Sequence, residues 1–312
     1  MRNSADRILT THTGSLPRPP AVTQLFLSLS RREPVDDAAQ KREVEAATRH
    51  VVARQREVGI DVANDGEQSR ESFITYVQHR LSGYGGESNR PVPRDIITFP
   101  TFVQAKAPDF SKPSVTLMRA PKAVGEVRHV RLGPLNDECD LFDRVAAEGA
   151  PFAERFLTAA SPGIVCAAMM NEHYASDDDY VVAVADALRP EYQRIVERGY
   201  VLQIDAPDLA MERHTSYADR SLEDFQAYVR RNIAAINRAI EGLPADRIRL
   251  HACWATTKRP TTSTWTSTIF CRCYTEQMLA RWSSPSLTRV MPTSSAPSSA
   301  TLCPMAGCSW PG

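Results

Sequence analysis

The chain has no apolar run approaching the roughly 18 residues that a membrane-spanning helix needs, and its opening Met-Arg-Asn-Ser-Ala-Asp lacks the apolar core of a secretory leader. Both absences point to a cytoplasmic protein with no membrane partner. It also lacks an excess of charge, since 37 Lys and Arg balance 37 Asp and Glu. A nucleic-acid partner, which demands a basic surface, is therefore not expected. No G-x-G-x-x-G follows the first apolar run, which argues against a dinucleotide site, and no repeat of fixed period is present. Acids are nearly missing from one stretch: residues 255–312 hold a single one, Glu276, against 36 in the rest of the chain.

That stretch differs in other ways too. It contains 27 Ser, Thr or Pro among 58 residues, four of the seven Cys and three of the four Trp. Residues 1–254 carry net charge −4 and residues 255–312 net charge +4, so neutrality hides two sequences of different character. In the body only Cys139, Cys166 and Cys253 occur, which fits free thiols or a metal thiolate better than a disulfide framework.

Within the body, short β-rich runs alternate with long amphipathic helices. The spacing of Val44, Ala47, Val51 and Val58 predicts a helix over residues 37–57, closed by Gly59. A second helix is predicted over 177–198, closed by Gly199. A third opens at Ser221 with Asp224 as a capping box and runs to about 241. Predicted strands are residues 8–11, 60–63, a segment near Val124, 164–168, 201–205 and 248–253. Repeated strand-then-helix units imply a parallel sheet covered by helices. The polar candidates His12, Asp65, Glu67, Asn171, Asp205, His251 and Cys253 cluster at predicted strand C-termini, where a (β/α)8 barrel keeps its active site. The expected fold is such a barrel, incomplete with about six strands, followed by an irregular tail. Residues 82–113, rich in Gly and Pro, read as an insertion over the barrel mouth.

Each candidate has a bland alternative. Gly14 and Ser15, with Arg18 nearby, could offer backbone N–H groups, a hydroxyl and a cation to a carboxylate, or could form a plain strand-exit turn. Asp65 and Glu67 could hold an ammonium or sit in a solvated loop. Asp205, at the end of the run Val201-Leu-Gln-Ile204, needs a partner. His251 and Cys253, two soft ligands at i and i+2, suggest a metal only weakly, and Cys271-x-Cys273 lies in unpatterned sequence and receives no role.

Together these pieces resemble one family. Thr11-His-Thr-Gly-Ser-Leu-Pro-Arg-Pro19, Gly59-Ile-Asp-Val-Ala-Asn-Asp-Gly-Glu-Gln68, Ser161-Pro-Gly163, Leu202-Gln-Ile-Asp205 and His251-Ala-Cys253 occur in the order found in the catalytic domain of cobalamin-independent methionine synthase, and more narrowly resemble its short single-domain relatives. The resemblance implies a TIM barrel of the methionine synthase and uroporphyrinogen decarboxylase-like type. It also implies a catalytic Zn2+ and methyl transfer from a folate-type donor to the thiol of homocysteine. By the same likeness, His12, Gly14, Ser15, Arg18, Asp65, Glu67, Asn171 and Asp205 would bind substrate, with Glu67 and Asp205 on its amino group and also catalytic. His251 and Cys253 would be two zinc ligands. The small-molecule partners would be the thiol and the methyl donor.

The remaining ligands should follow Cys253, and residues 255–312 supply none in recognisable context. Loss of one base after the Trp254 codon would account for this, because codons permitted by these residues can restore acids and the family's continuation in the neighbouring frame. We read 1–254 as an incomplete catalytic domain and 255–312 as a frameshifted or disordered tail. The alternatives are a related zinc enzyme alkylating another thiol, such as coenzyme M, and an inactive truncated homologue.

Overall fold

The computed structural model describes residues 4, 6–31, 33–92, 94–101, 104–105 and 120–252, with the backbone alone at 95 and 96. Cys253, the end of the last predicted strand, part of the predicted insertion and the whole of 255–312 lie outside the described residues.

The helix predictions hold closely. Helix α1 (Pro20–Ser30) starts on a proline whose missing N–H would be unpaired there anyway. Helix α2 (Asp37–Glu57) is capped by Asp36, whose side chain accepts from the Ala38 N–H, and it buries Val44, Ala47, Val51 and Val52. Val58, assigned to that face, is instead 63% exposed. It falls one residue past the last turn, where Gly59 at φ 77° redirects the chain. After the short strand β1 (Val62–Ala63) and a two-residue strand β2 (Tyr84–Gly85) come helix α3 (Arg94–Thr98), strand β3 (Lys122–Ala123) and helix α4 (Gly133–Ala146). Strand β4 (Glu154–Ala160), helix α5 (Pro162–Ala168), helix α6 (Asp177–Glu197) and strand β5 (Val201–Asp205) follow. The short helix α7 (Asp208–Met211), helix α8 (Leu222–Ala239) and strand β6 (Ile248–His251) complete the order. Helix α8 opens with the predicted capping box, Ser221 and Asp224 each accepting from the other's backbone N–H.

Two strand predictions fail. Residues 164–168 are helical: Ser161 caps the helix by accepting from the Ile164 N–H, and Pro162 occupies its first turn. A short apolar run does not distinguish a buried strand from a buried helix, and the true strand, β4, begins with Glu154 and Arg155. The segment near Val124 also leaves the sheet, because β3 pairs antiparallel with β2 in a separate two-stranded ribbon.

The main sheet runs β1-β4-β5-β6, all parallel, and Thr11 of the first predicted strand adds a parallel bridge to Val62. Spatial order thus follows chain order without reversal, as in a barrel; a doubly wound sheet reverses at its switch point. The register makes the two faces distinct. Leu157, Ala159, Leu202, Ile204, Ile248 and Leu250 face the helices and join their core. On the other face Val62, Phe156 and Val201 form an apolar bottom layer with Leu9 beside it. Thr158, Gln203 and Arg249 are in register above it, and Ala160, Asp205 and His251 form the next layer toward the strand C-termini. This is a partial barrel whose polar layers open at the C-terminal end. No described helix is long and apolar enough to cross a membrane.

A buried ionic cluster joins the loop after β1 to the helices. Glu138 of α4 accepts from Arg70 Nε at 3.1 Å and Nη2 at 2.9 Å, from Arg80 Nη2 at 2.6 Å and from Ser69 Oγ at 2.8 Å. Arg80 and Tyr76 both donate to Glu191 Oε1 of α6 at 2.9 Å, and the Tyr76 ring lies between the two guanidiniums, 4.3 and 4.5 Å away. Although burial opposes it, the two arginines hold the Glu138 carboxyl down at about 2. Glu138→Leu would leave two buried guanidiniums short of their acceptor, and a loss of about 3–5 kcal/mol is expected in urea unfolding. A loss under about 1 kcal/mol would show that Glu191 alone holds both cations.

Candidate active site

The site is built where three chain segments meet above the polar layers. The first is the loop after residue 11. His12 Nδ1 accepts from the Gly14 N–H at 3.3 Å, so its Nε2 donates to Gln55 Oε1 at 2.9 Å. Burial lowers the His12 pKa, which keeps this neutral tautomer. Gln55 in turn donates to the Asn64 carbonyl at 2.7 Å and accepts from the Asn64 N–H at 3.0 Å. His12 therefore wires the loop to α2 and β1. Gly14 adopts φ 135°, and a Cβ there would approach Glu67 Oε1 and Thr158 Cγ2 to 2.7 Å each. Ser15 is exposed. Arg18 Nη2 donates to the Glu67 carbonyl at 2.9 Å, and burial lowers its pKa.

The second segment is the turn after β1. Asp65 Oδ1 accepts from the Glu67 N–H at 2.9 Å, which bends the chain so that Glu67, at φ 55°, takes a left-handed conformation unusual for a residue with a side chain. Its side chain points inward and is buried. Thr158 Oγ1 lies 3.0 Å from Oε1, while Oε2 is buried with no partner among the described residues. Desolvation, and next the charge of Asp205, push the Glu67 carboxyl up to about 7. Asp65 is also raised, by burial and then by Glu138.

The third segment comprises the ends of β5 and β6. Asp205 Oδ1 accepts from Gln203 Nε2 at 2.7 Å and pairs with His251 Nδ1 at 2.9 Å. Beneath them Arg249 donates to Gln203 Oε1 at 2.8 Å and lies 3.8 Å over the Phe156 ring. Burial pulls its guanidinium down to about 10.

The structure thus gathers Gly14, Arg18, Asp65, Glu67, Asp205 and His251. Asn171 is employed elsewhere: its Nδ2 donates to the Tyr174 carbonyl at 3.0 Å, and its Oδ1 accepts from the N–H groups of His173 and Tyr174. Thr158, Gln203 and Arg249 belong to the site and were not singled out from sequence. Polar residues alternating with apolar ones in Leu202-Gln203-Ile204-Asp205 and Arg249-Leu250-His251 carry the signal for the latter two. Thr158 escapes because β4 was placed ten residues too late. Among the described residues, no group of three or more His, Cys, Asp or Glu could hold a metal ion.

Fold and site together define a partial parallel α/β barrel with two buried carboxylates facing its C-terminal mouth. Residues 8–92 match the family described as cobalamin-independent synthase, catalytic domain. A methionine synthase of Sulfolobus acidocaldarius is 26% identical over 247 residues, covering 78% of this chain and 61% of that protein. One of Sulfurisphaera tokodaii is 23% identical with the same coverage. Among solved structures, a B12-independent methionine synthase from Shewanella sp. W3-18-1, in complex with selenomethionine, superposes with TM-score 0.56 at 20% identity, over 79% of this chain and 61% of that one. Over residues 8–92 the chain is similar to the cobalamin-independent synthase catalytic domain, and it spans about 61% of the length of the methionine synthases it matches.

Two outcomes follow from the geometry. Below the ordinary glutamate value of 4.5, Glu67 is protonated in both the folded and the unfolded chain. Between 4.5 and about 7 only the unfolded chain releases the proton, so folding loses stability as pH rises through this window. Glu67→Gln removes that loss, and its Tm relative to the parent is expected to climb from pH 4.5 to about 7 and then level off; a difference constant with pH would rule out Glu67 as the titrating group. Gly14→Ala forces a methyl against both Glu67 and Thr158, and a loss of roughly 2 kcal/mol is expected by thermal unfolding, from strain and overpacking together.

Proposed function

We propose that the chain is built for S-methyl transfer of the methionine synthase type, with Glu67 and Asp205 holding the ammonium of homocysteine and the methyl group coming from a methylated folate-type donor. The observation that carries this reading is the unpartnered Oε2 of Glu67, beside a second carboxylate and in a buried position. A buried carboxylate oxygen with no donor is costly, and a substrate ammonium would relieve both that deficit and the repulsion from Asp205. The selenomethionine in the Shewanella structure supports an amino acid of this shape. In the reaction the thiol gives up its proton and its sulfur gains the methyl, while the methyl–nitrogen bond breaks and the donor nitrogen keeps the electron pair and takes up a proton. The residues of this chain would fix the amino-acid end so that sulfur and methyl meet in line.

Zinc, when bound, would supply activation of the substrate thiol as a thiolate. His251 and Cys253 would be its ligands here, whereas a structural or catalytic site needs at least three protein ligands. The described residues offer one imidazole, its Nδ1 engaged by Asp205, and no cluster of three donors. The described residues do not by themselves make up a zinc site. A second reading rests on the sequence, since residues 255–312 supply no further ligand in recognisable context: residues 1–254 would then form an incomplete catalytic domain that binds the amino acid without transferring methyl. The irregular or frameshifted tail over 255–312 would then leave the ligand set short.

Metal content of the purified chain, and homocysteine-dependent loss of the methyl donor, separate the two. Substoichiometric zinc, no turnover, and calorimetric binding of L-methionine that vanishes in Asp205→Asn are expected for the second. One tightly held zinc per chain with turnover would restore the first. Failure of the parent chain to bind methionine would remove both.

A further inference from the structure

Thr158 lies between a cation and a carboxylate, and the direction of its hydroxyl hydrogen follows from its neighbours. Arg70 Nη1 is 2.8 Å from the Thr158 carbonyl and 3.2 Å from its Oγ1, and Oγ1 is 3.0 Å from Glu67 Oε1. A guanidinium only donates. The Thr158 oxygen therefore accepts from Arg70, and its single hydrogen is directed at Glu67 Oε1. Arg70 is held for this by Glu138, on Nε and Nη2, and by the Tyr76 ring 4.3 Å away. Glu67, Arg70 and Thr158 are each no more than 2% exposed. The Gly14 backbone closes the remaining side, since a Cβ there would stand 2.7 Å from both Glu67 Oε1 and Thr158 Cγ2. One carboxylate oxygen is engaged and enclosed, and the other has no partner among the described residues.

We propose that Thr158 is a positioning residue for the amino-acid site: its hydroxyl, oriented by Arg70, fixes Glu67 Oε1 and so presents Oε2 to the substrate ammonium. The ammonium clause rests on the function proposed above; the orientation of Glu67 does not. Of the charged groups around Glu67, Asp205 and Asp65 oppose its ionisation and Arg70 favours it, while Arg18 meets its carbonyl. The Thr158 hydrogen bond adds to the favouring side.

The test uses the full chain with Thr158→Val, which keeps the shape and removes the hydroxyl, and Thr158→Ser, which keeps the hydroxyl. The Glu67 carboxyl is titrated by isotope-edited infrared spectroscopy, assigned by difference from Glu67→Gln, and L-methionine binding is followed by calorimetry across the same pH range. Thr158→Val is expected to raise the Glu67 midpoint by roughly one pH unit and to weaken methionine roughly tenfold near neutral pH. Thr158→Ser should bring both back to within about twofold of the parent. A merely structural threonine would change the melting temperature without moving the midpoint, and an unmoved midpoint in Thr158→Val overturns the inference whether or not methionine binds. A shifted midpoint in a chain that binds no methionine would uphold the orientation of Glu67 and remove the amino-acid reading.

Discussion

The Arg70 guanidinium is the constraint on which the rest of the described structure depends. It leaves the turn after β1, meets Glu138 of α4 with two nitrogens and reaches Thr158 of β4 with the third. One planar, permanently charged group with five donors thus ties a loop, a helix and a strand together. Burial of so much charge is tolerated because the cations and carboxylates alternate: Glu138 serves both arginines, and Glu191 serves Arg80 and Tyr76. Removing any one member would strand its neighbours.

From this base the site inherits its geometry. The loop of residues 64–68 turns through Gly66 at φ 69° and Glu67 at φ 55°, and Asp65 and Arg18 hold its backbone from either side. Glu67 is thereby carried inward against Thr158. Asp205 reaches the same level from β5, steadied by Gln203 and His251. The carboxyls are close enough for Asp205 to raise Glu67. With both acids buried, ionising Glu67 beside Asp205 is costly. The polar layers rest on an apolar floor of Val62, Phe156 and Val201.

Much of this was legible in the sequence. Amphipathic spacing and glycine stops located α2 and α6, and Ser221 with Asp224 located the start of α8, because capping and periodicity are local properties. The motif residues Gly14, Glu67, Asp205 and His251 were also legible, through their order along the chain. Residues 164–168 were misread, since a five-residue apolar run has no period that distinguishes strand from helix, and the error hid Thr158. Asn171 was placed at a strand end that does not exist there, and its amide is engaged by its own turn.

By itself, then, the sequence determined the alternation of strand and helix, the helix ends, the family likeness and the charged residues on offer, all of which follow from patterns a few residues long. Tertiary structure alone decided which of those residues meet. The pairing of β4 with β5 and of β5 with β6 sets Gln203 between Thr158 and Arg249, and Asp205 beside His251, with about 45 residues between paired positions. Only that register, with Arg70 aiming the Thr158 hydroxyl, leaves Glu67 with one oxygen held and the other buried without a partner among the described residues, because the direction of a hydrogen bond depends on neighbours that no local pattern encodes.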